Sequence, residues 1–210
     1  MMKQKGGTNL SMIWIIIGGI VICLVVVVLI SVFLSYPRFH QQALDARLWR
    51  AALRNDTSEV EYLLRQGANV NVKDENENPL LDDMLASHNV ETAHVVLRHK
   101  PDVNAVNPRI GCSLTLILAS GSGADDIVAE LIEQGADVNA RTLHRNTPLM
   151  SAVRGKHPTT ISYLLAHGAD RDVRDTYGKT ALMQAQRKLD QTPYPKRKAE
   201  LAAIVKILQQ

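Results

Sequence analysis

The longest run of hydrophobic positions in the chain lies near the N-terminus, over residues 12–34. Its 23 residues carry no charge, and 20 of them are hydrophobic. As a helix the run would rise about 34 Å, enough to cross a hydrocarbon core about 30 Å thick. In lipid, the need to pair every backbone group outweighs the low helix propensity of its many Val and Ile residues. We therefore predict a transmembrane helix over residues 12–34.

A cleaved secretory signal is the main alternative for this run. Such a signal has a hydrophobic core of about 7–15 residues followed by small residues at the cleavage site. Here the core is longer, and residues 32–37 offer no small-residue site. The basic tail 1–11 contains Lys3 and Lys5, so the positive-inside rule favours a cytoplasmic N-terminus by a margin of one charge. We expect the remainder of the chain on the non-cytoplasmic side of the membrane.

After a short linker, 35–42, the hydrophobic pattern becomes periodic. Apolar residues at 161, 164 and 165 lie on one helical face, as do those at 60, 63 and 64. Turn segments follow these helices, and their equivalent positions 67, 100, 135 and 168 are separated by 33, 35 and 33 residues. Four segments therefore superimpose: 63–71, 96–104, 131–139 and 164–172.

A second shared stretch begins 21 or 22 residues before the Lys100, Gly135 and Gly168 positions of three of these turns and predicts the start of a helix. Its clearest copy is Thr147–Pro148–Leu149–Met150. Thr147 is predicted as the N-cap, and Pro148 suits the first helical turn because its missing N–H would be unpaired there. Looser copies begin at residues 114 and 78. A further copy, which opens the fifth unit, begins at Gly178. Each unit is thus predicted as two short antiparallel helices and an extended turn.

The period, the Thr-Pro-Leu motif and the Gly-Ala-Asp-Val-Asn turn resemble the ankyrin repeat. The resemblance covers residues 43–210 and implies an all-α ankyrin-repeat solenoid of about five helix-turn-helix units, with degenerate terminal units. The chain departs from the family in lacking the His of the first motif, and Lys100–Pro101 replaces Gly-Ala in the second unit. Lys in place of a left-handed Gly is expected to cost on the order of 1 kcal/mol.

The resemblance also implies that a partner protein binds to the turn tips and to the concave face of the first helices. Exposed apolar, aromatic and Arg side chains are typical anchors of such surfaces. An equally weighted interpretation is that the tips are polar only because they are solvated. The candidate partner-binding residues are Lys73, Asp74, Glu75, Arg109, Ile110, Leu143, Arg145, Arg174 and Tyr177.

Composition and motifs argue against other classes of function. After Leu34 the chain has 22 basic and 21 acidic residues, so its net charge of +1 does not suggest nucleic-acid binding. His88, His94 and His99 lack the spacing of metal ligands, and the pairs Asp82–Asp83 and Asp125–Asp126 point apart on a helix. Gly121–Ser122–Gly123 matches no phosphate-binding motif and is expected to connect two helices.

We therefore expect no catalytic site, cofactor, metal or small-molecule substrate. An enzyme site hidden in the degenerate region 100–123 is the least favoured alternative. The leading hypothesis is a membrane-anchored ankyrin-repeat protein that binds a protein partner of unknown identity. The alternative is a structural assembly or stabilising subunit of a membrane-associated complex.

Overall fold

The structure, a computed structural model, describes the backbone of residues 10–210 and the side chains of that range except 10–20, 22 and 32–36. The described residues form ten helices and two isolated β-bridges, Lys73–Pro79 and Asn107–Cys112, which close hairpin tips. The helices are α1 (Leu10–Leu53), α2 (Thr57–Arg65), α3 (Leu80–Ala86), α4 (Val90–Arg98), α5 (Thr115–Ser122), α6 (Asp125–Glu133), α7 (Pro148–Gly155), α8 (Pro158–Ala166), α9 (Ala181–Gln191) and α10 (Pro195–Gln209).

The N-terminal part of the chain differs from the expectation. No helix among the described residues is both long and apolar enough to cross a membrane, so the structure does not support the predicted transmembrane helix. The side chains of 13 of residues 12–34 and the tail residues 1–9 lie outside the described part. Residues 35–42, expected as a linker, are helical within α1, which includes Pro37. The chain divides into two compact units, with the boundary between Leu44 and Asp45.

The second unit, from Asp45 onward, is a two-layered stack of helix pairs. The first helices of successive pairs, α3, α5, α7 and α9, pack against one another, and the second helices, α2, α4, α6, α8 and α10, form the other layer. Leu63, Val96, Leu131 and Leu164 occupy one position in four successive repeats, and all four are fully buried. The apolar positions that recur with the sequence period are thus the contacts between repeats, and the all-α repeat prediction is confirmed.

Helix ends follow the sequence motifs. The Thr147 Oγ1 accepts a hydrogen bond of 3.3 Å from the Met150 N–H, which confirms Thr147 as an N-cap. Gly135 terminates its unit with φ +88°, in the left-handed region that glycine favours. Lys100 adopts φ +53° at the equivalent position of the second unit, without the freedom of glycine.

The turn segments are joined to one another by a ladder of side-chain to backbone hydrogen bonds. The last residue of each turn accepts a hydrogen bond through its Oδ1 from the backbone N–H of the next turn, one repeat later. The rungs are Asp102 N to Asn71 Oδ1 (2.7 Å), Asp137 N to Asn104 Oδ1 (2.9 Å) and Asp170 N to Asn139 Oδ1 (2.8 Å). The ladder explains why Asn ends the repeated turn motif, since its amide also donates to the neighbouring turn, as from Asn104 to the Gly135 carbonyl at 2.8 Å.

Candidate functional site

The candidate site is the face formed by the first helices of the repeats and the hairpin tips that precede them, called here the tip face. Direct hydrogen bonds hold neighbouring tips together. The Thr176 N–H donates to the His144 carbonyl at 3.1 Å, and the Asn107 side-chain amide donates to the Asn76 carbonyl at 3.0 Å. The tips therefore form a connected surface rather than independent loops.

Several of the predicted partner-binding residues are used within the fold. The Arg109 guanidinium bridges to the preceding tip, donating to the Glu75 carbonyl at 2.7 Å and to the Asn76 Oδ1 at 3.2 Å. The Arg174 Nη1 donates to the Gly178 carbonyl at 2.8 Å within its own tip. The Lys73 Nζ lies 4.0 Å from the Glu77 carboxylate and 3.4 Å from the Val106 carbonyl. These cations therefore support the tips on which they lie.

Asp74 also has a structural role in its tip. Its Oδ1 accepts hydrogen bonds from the Asn76 N–H at 2.8 Å and from the Asn78 N–H at 2.7 Å. Partial burial raises the pKa of Asp74, but the hydrogen bonds from Asn78 and Asn76 outweigh it and hold the pKa below its usual value. The carboxylate therefore stabilises the turn.

The other predicted residues are more accessible. Tyr177 is 80% exposed and Leu143 is 65% exposed, and they lie on tips that are joined through Thr176 and His144. Arg145, two residues after Leu143, is exposed. Ile110 is less accessible, since it is half-buried. The structure thus brings two large, exposed apolar side chains to adjacent tips.

The sequence analysis missed a cationic groove beside these tips. It lies between α7, the tip around Tyr177 and α9, with a volume of about 300 Å³. Arg154 and Arg187 are 33 residues apart and so occupy one position in successive repeats, a signal that the repeat alignment contained. The net charge of the whole array gave no indication of the groove, because it is close to zero. The basic lining residues are Arg154, Lys179, Arg187 and Lys188.

The one acidic residue that lines the groove, Asp175, is already bound by the protein. Its Oδ1 accepts hydrogen bonds from the Tyr177 N–H at 2.8 Å and the Lys179 N–H at 2.9 Å, and its Oδ2 accepts one from Gln184 at 2.9 Å. Burial alone would raise the pKa of Asp175, but these hydrogen bonds outweigh burial and hold the pKa below its usual value. The carboxylate is therefore ionised at neutral pH. Asp175 orders the tip, and its single negative charge, which acts on Lys179, offsets at most one of the four basic lining residues.

Two of the three histidines considered as metal ligands, His94 and His99, have other partners. His94 lies between Asp126, at 2.9 Å from Nε2, and Glu130, at 3.0 Å from Nδ1. The His99 Nε2 lies 3.4 Å from the Glu61 carboxylate. Within the described part of the chain there is no group of three or more His, Cys, Asp or Glu side chains arranged to hold a metal ion.

The adjacent carboxylates of α3 do not form a pair. The buried Asp82 accepts a hydrogen bond of 2.6 Å from the Thr115 hydroxyl, and burial raises its pKa to about 6 despite that bond. Asp83 has a buried Oδ2 without a hydrogen-bond partner, and burial, followed by the charge of Asp74, raises its pKa.

Comparison with known proteins places the repeats in one family. A family model described as ankyrin repeats (3 copies) matches residues 116–192, and one described as ankyrin repeat matches residues 48–75. Ankyrin repeats are generally non-enzymatic modules of protein–protein interaction.

Curated relatives match about half of this chain. An ankyrin repeat and KH domain-containing protein of Caenorhabditis briggsae is 32% identical over 111 residues, 51% of this chain and 4% of the relative. Protein lin-12 of Caenorhabditis elegans is 32% identical over 98 residues, 43% of this chain and 7% of the relative. The chain therefore spans a small fraction of the length of these relatives. Together with the stacked helix pairs and the ladder of turns, the family matches show that this chain contains ankyrin repeats, over residues 48–75 and 116–192.

Proposed function

We propose that the array is a non-enzymatic binding module that holds a partner protein against its tip face. The observation that carries the proposal is the pair of exposed apolar side chains, Leu143 and Tyr177, on hydrogen-bonded neighbouring tips. Exposed aromatic and aliphatic side chains beside an Arg are favoured as anchors because they bury large area on binding. Arg145 supplies that cation next to Leu143.

Site-specific photo-crosslinking tests this assignment. A benzophenone amino acid at position 143 or 177 is expected to capture one discrete partner protein in cells. Tyr62 is the matched control, since it is 53% exposed but lies on α2, in the layer of second helices. Equal capture from position 62, or capture from position 143 that Tyr177→Ala leaves unchanged, would contradict a tip-face site.

We further propose that residues 12–34 anchor the protein in a membrane, with the array on the non-cytoplasmic side. The support is the absence of charge over 23 residues. In addition, Val21 and Leu24–Ile30, whose side chains the structure describes, are about half-exposed or more and present apolar surface. Lipid is the surrounding that such a surface favours.

Two measurements test the anchor. Alkaline extraction is expected to leave the full chain in the membrane pellet and to release a chain whose residues 12–34 are deleted. In sealed vesicles with their cytoplasmic face outward, the array is expected to resist added protease until detergent is present. Release of the full chain by alkali would contradict the proposed anchor. Digestion of the array without detergent would place the array on the cytoplasmic side instead.

A further inference from the structure

Charge is segregated along the array although its total is close to zero. Residues 45–140 contain 8 Lys and Arg against 16 Asp and Glu, a formal charge of −8. Residues 141–210 contain 13 Lys and Arg against 5 Asp and Glu, a formal charge of +8. The C-terminal two repeats are therefore strongly cationic, and the groove between α7 and α9 lies within them.

The cations of this groove outnumber its acidic residues, since Asp175 is the one acidic lining residue beside four basic ones. Residues 141–210, all of which the structure describes, contain no ion pair, whereas residues 47–130 contain seven. Lys179 and Arg187 make no side-chain hydrogen bond among the described residues, and Lys188 donates only to the Arg154 carbonyl, at 2.8 Å. A carbonyl satisfies a donor of Lys188 but leaves its positive charge in place.

These cations are also crowded. Burial lowers the pKa of Lys188, and the positive charges of Lys156 and Arg154 lower it further. Such a site stores repulsion between like charges, which a bound anion relieves. An incoming carboxylate would thus gain more here than at an isolated surface lysine.

We propose that the groove between α7 and α9 binds an acidic segment of the partner protein, with at least two neighbouring Asp or Glu side chains placed among Arg154, Lys179, Arg187 and Lys188. The inference rests on the proposed protein-binding function and names the chemistry of the partner. The side-chain amides of Asn146, Gln184 and Gln191 line the same groove, where they can pair with a peptide backbone. The exposed ring of Tyr177 lies at its edge.

The shape of the site favours a peptide over other polyanions. A volume of about 300 Å³ accommodates a few side chains. Lys188 is half-buried between two helices and a tip, so a flat lipid surface does not reach it. A nucleic-acid strand follows an extended track of cations and stacks its bases on aromatic rings, whereas the lining of this groove includes one aromatic residue, Tyr177.

Fluorescence anisotropy with the full chain in nonionic detergent tests the proposal. The probe is a labelled ten-residue peptide that alternates Glu and Ser, and its control peptide carries Gln in place of Glu. The Lys179→Glu/Arg187→Glu variant is expected to bind the acidic probe at least about tenfold more weakly, since it sets like charges against each other. The matched control Lys206→Glu/Arg171→Glu makes the same charge change at exposed positions outside the groove and is expected to bind within about twofold of the unmodified chain.

The outcomes are distinguishable. Equal weakening by both double variants, or equal binding of the Gln peptide, would overturn the groove as a specific site. Binding of single-stranded RNA or of vesicles containing phosphatidylserine in preference to the acidic peptide, lost on Lys179→Glu/Arg187→Glu, would assign the groove to those anions instead. Concentration-dependent self-association lost in the same variant would make the occupant the acidic half of a second copy. Crosslinking from positions 143 and 177 without peptide binding would retain the binding function and reject only this inference.

Discussion

The backbone N–H of Asp137 donates a hydrogen bond of 2.9 Å to the Oδ1 of Asn104, one repeat earlier in the array. The same Asn104 donates through its amide to the Gly135 carbonyl at 2.8 Å, so one side chain ties two consecutive turns together. In a solenoid, where each repeat contacts only its neighbours, such links contribute directly to the interface between repeats.

Replacing Asn104 with Ala is therefore expected to lower the free energy of unfolding by about 1–2 kcal/mol, because two hydrogen bonds are lost. Asp172 is the matched control. It occupies the equivalent position of the last turn, where no further turn follows, and its side chain has no partner among the described residues. Urea unfolding of the full chain should show a clear loss for Asn104→Ala and little change for Asp172→Ala. Equal losses would argue against the ladder as the cause.

The buried carboxyl of Asp82 makes stability depend on pH. Its pKa in the folded protein, about 6, lies above its ordinary value of 3.8, so the folded state holds the proton more tightly and stability falls as pH rises through that window. Asp82→Asn keeps an acceptor for the Thr115 hydroxyl and removes the buried charge. At pH 8 the variant is expected to be more stable than the unmodified chain by up to about 3 kcal/mol.

The measurement is the free energy of unfolding of both chains at pH 4, 6 and 8. Other carboxylates contribute equally to both, so the difference between the chains isolates Asp82. A difference that stays constant across this range would show that the carboxyl does not titrate there.

His94 contributes a pH dependence of the same sign. Burial lowers its pKa, but the hydrogen bonds and charges of Asp126 and Glu130 raise it above the ordinary value of 6.5. Its contribution is complete below pH 6.5, while the carboxylates are ionised, and is lost as pH rises through the folded pKa. His94→Gln is expected to lower stability at pH 6, by less than about 1 kcal/mol for this partly exposed site, and to have a smaller effect at pH 8.5.

His144→Gln is the control for that experiment, because His144 lies exposed on a tip and its side chain has no partner in the described residues. Titration of the imidazole of His94 by NMR gives the folded pKa directly. A value at or below 6.5 would contradict the proposed stabilisation by Asp126 and Glu130.

The left-handed Lys100 is a site for a stabilising substitution. With φ +53°, it occupies the position at which Gly135 has φ +88° one repeat later. Lys100→Gly is expected to stabilise the chain by about 0.5–1 kcal/mol, and Gly135→Lys to destabilise it by a similar amount. A side chain at Gly135 would meet no atom within 4 Å, so its cost reflects the backbone alone. Urea midpoints measure both changes, and a loss for Lys100→Gly would show that added flexibility of the unfolded chain prevails.

Much of the fold could be predicted from local signals. Thr147 and Pro148 mark a helix start, Gly135 marks an end, and apolar residues such as Leu131 recur with the repeat period; all three features are found in the structure. These signals act within one helix or one turn, so a single chain segment contains the information. The span over residues 12–34 is a prediction from hydropathy alone and remains a proposal.

Long-range packing decided what local patterns could not. Gly121 and Ser122 end α5 rather than forming a separate connection, and the ring of His157, 36 residues away, lies with its Nε2 3.1 Å from the Gly121 carbonyl. A Cβ on Gly123 would come within 2.3 Å of that ring. Gly123 therefore makes room for a histidine of the next repeat, which no neighbour in sequence reveals.

The candidate site shows the same division. By itself the amino-acid sequence determined the repeat, its helix ends and the apolar stacking positions, because these depend on backbone preferences and on a period that recurs along the chain. Only the tertiary structure decided which tip residues are free: Arg109 is bound to the preceding tip, whereas Tyr177 is exposed. It also brought Arg154 and Lys188 together from successive repeats into one cationic groove, since side chains 34 residues apart become neighbours only when the helices stack.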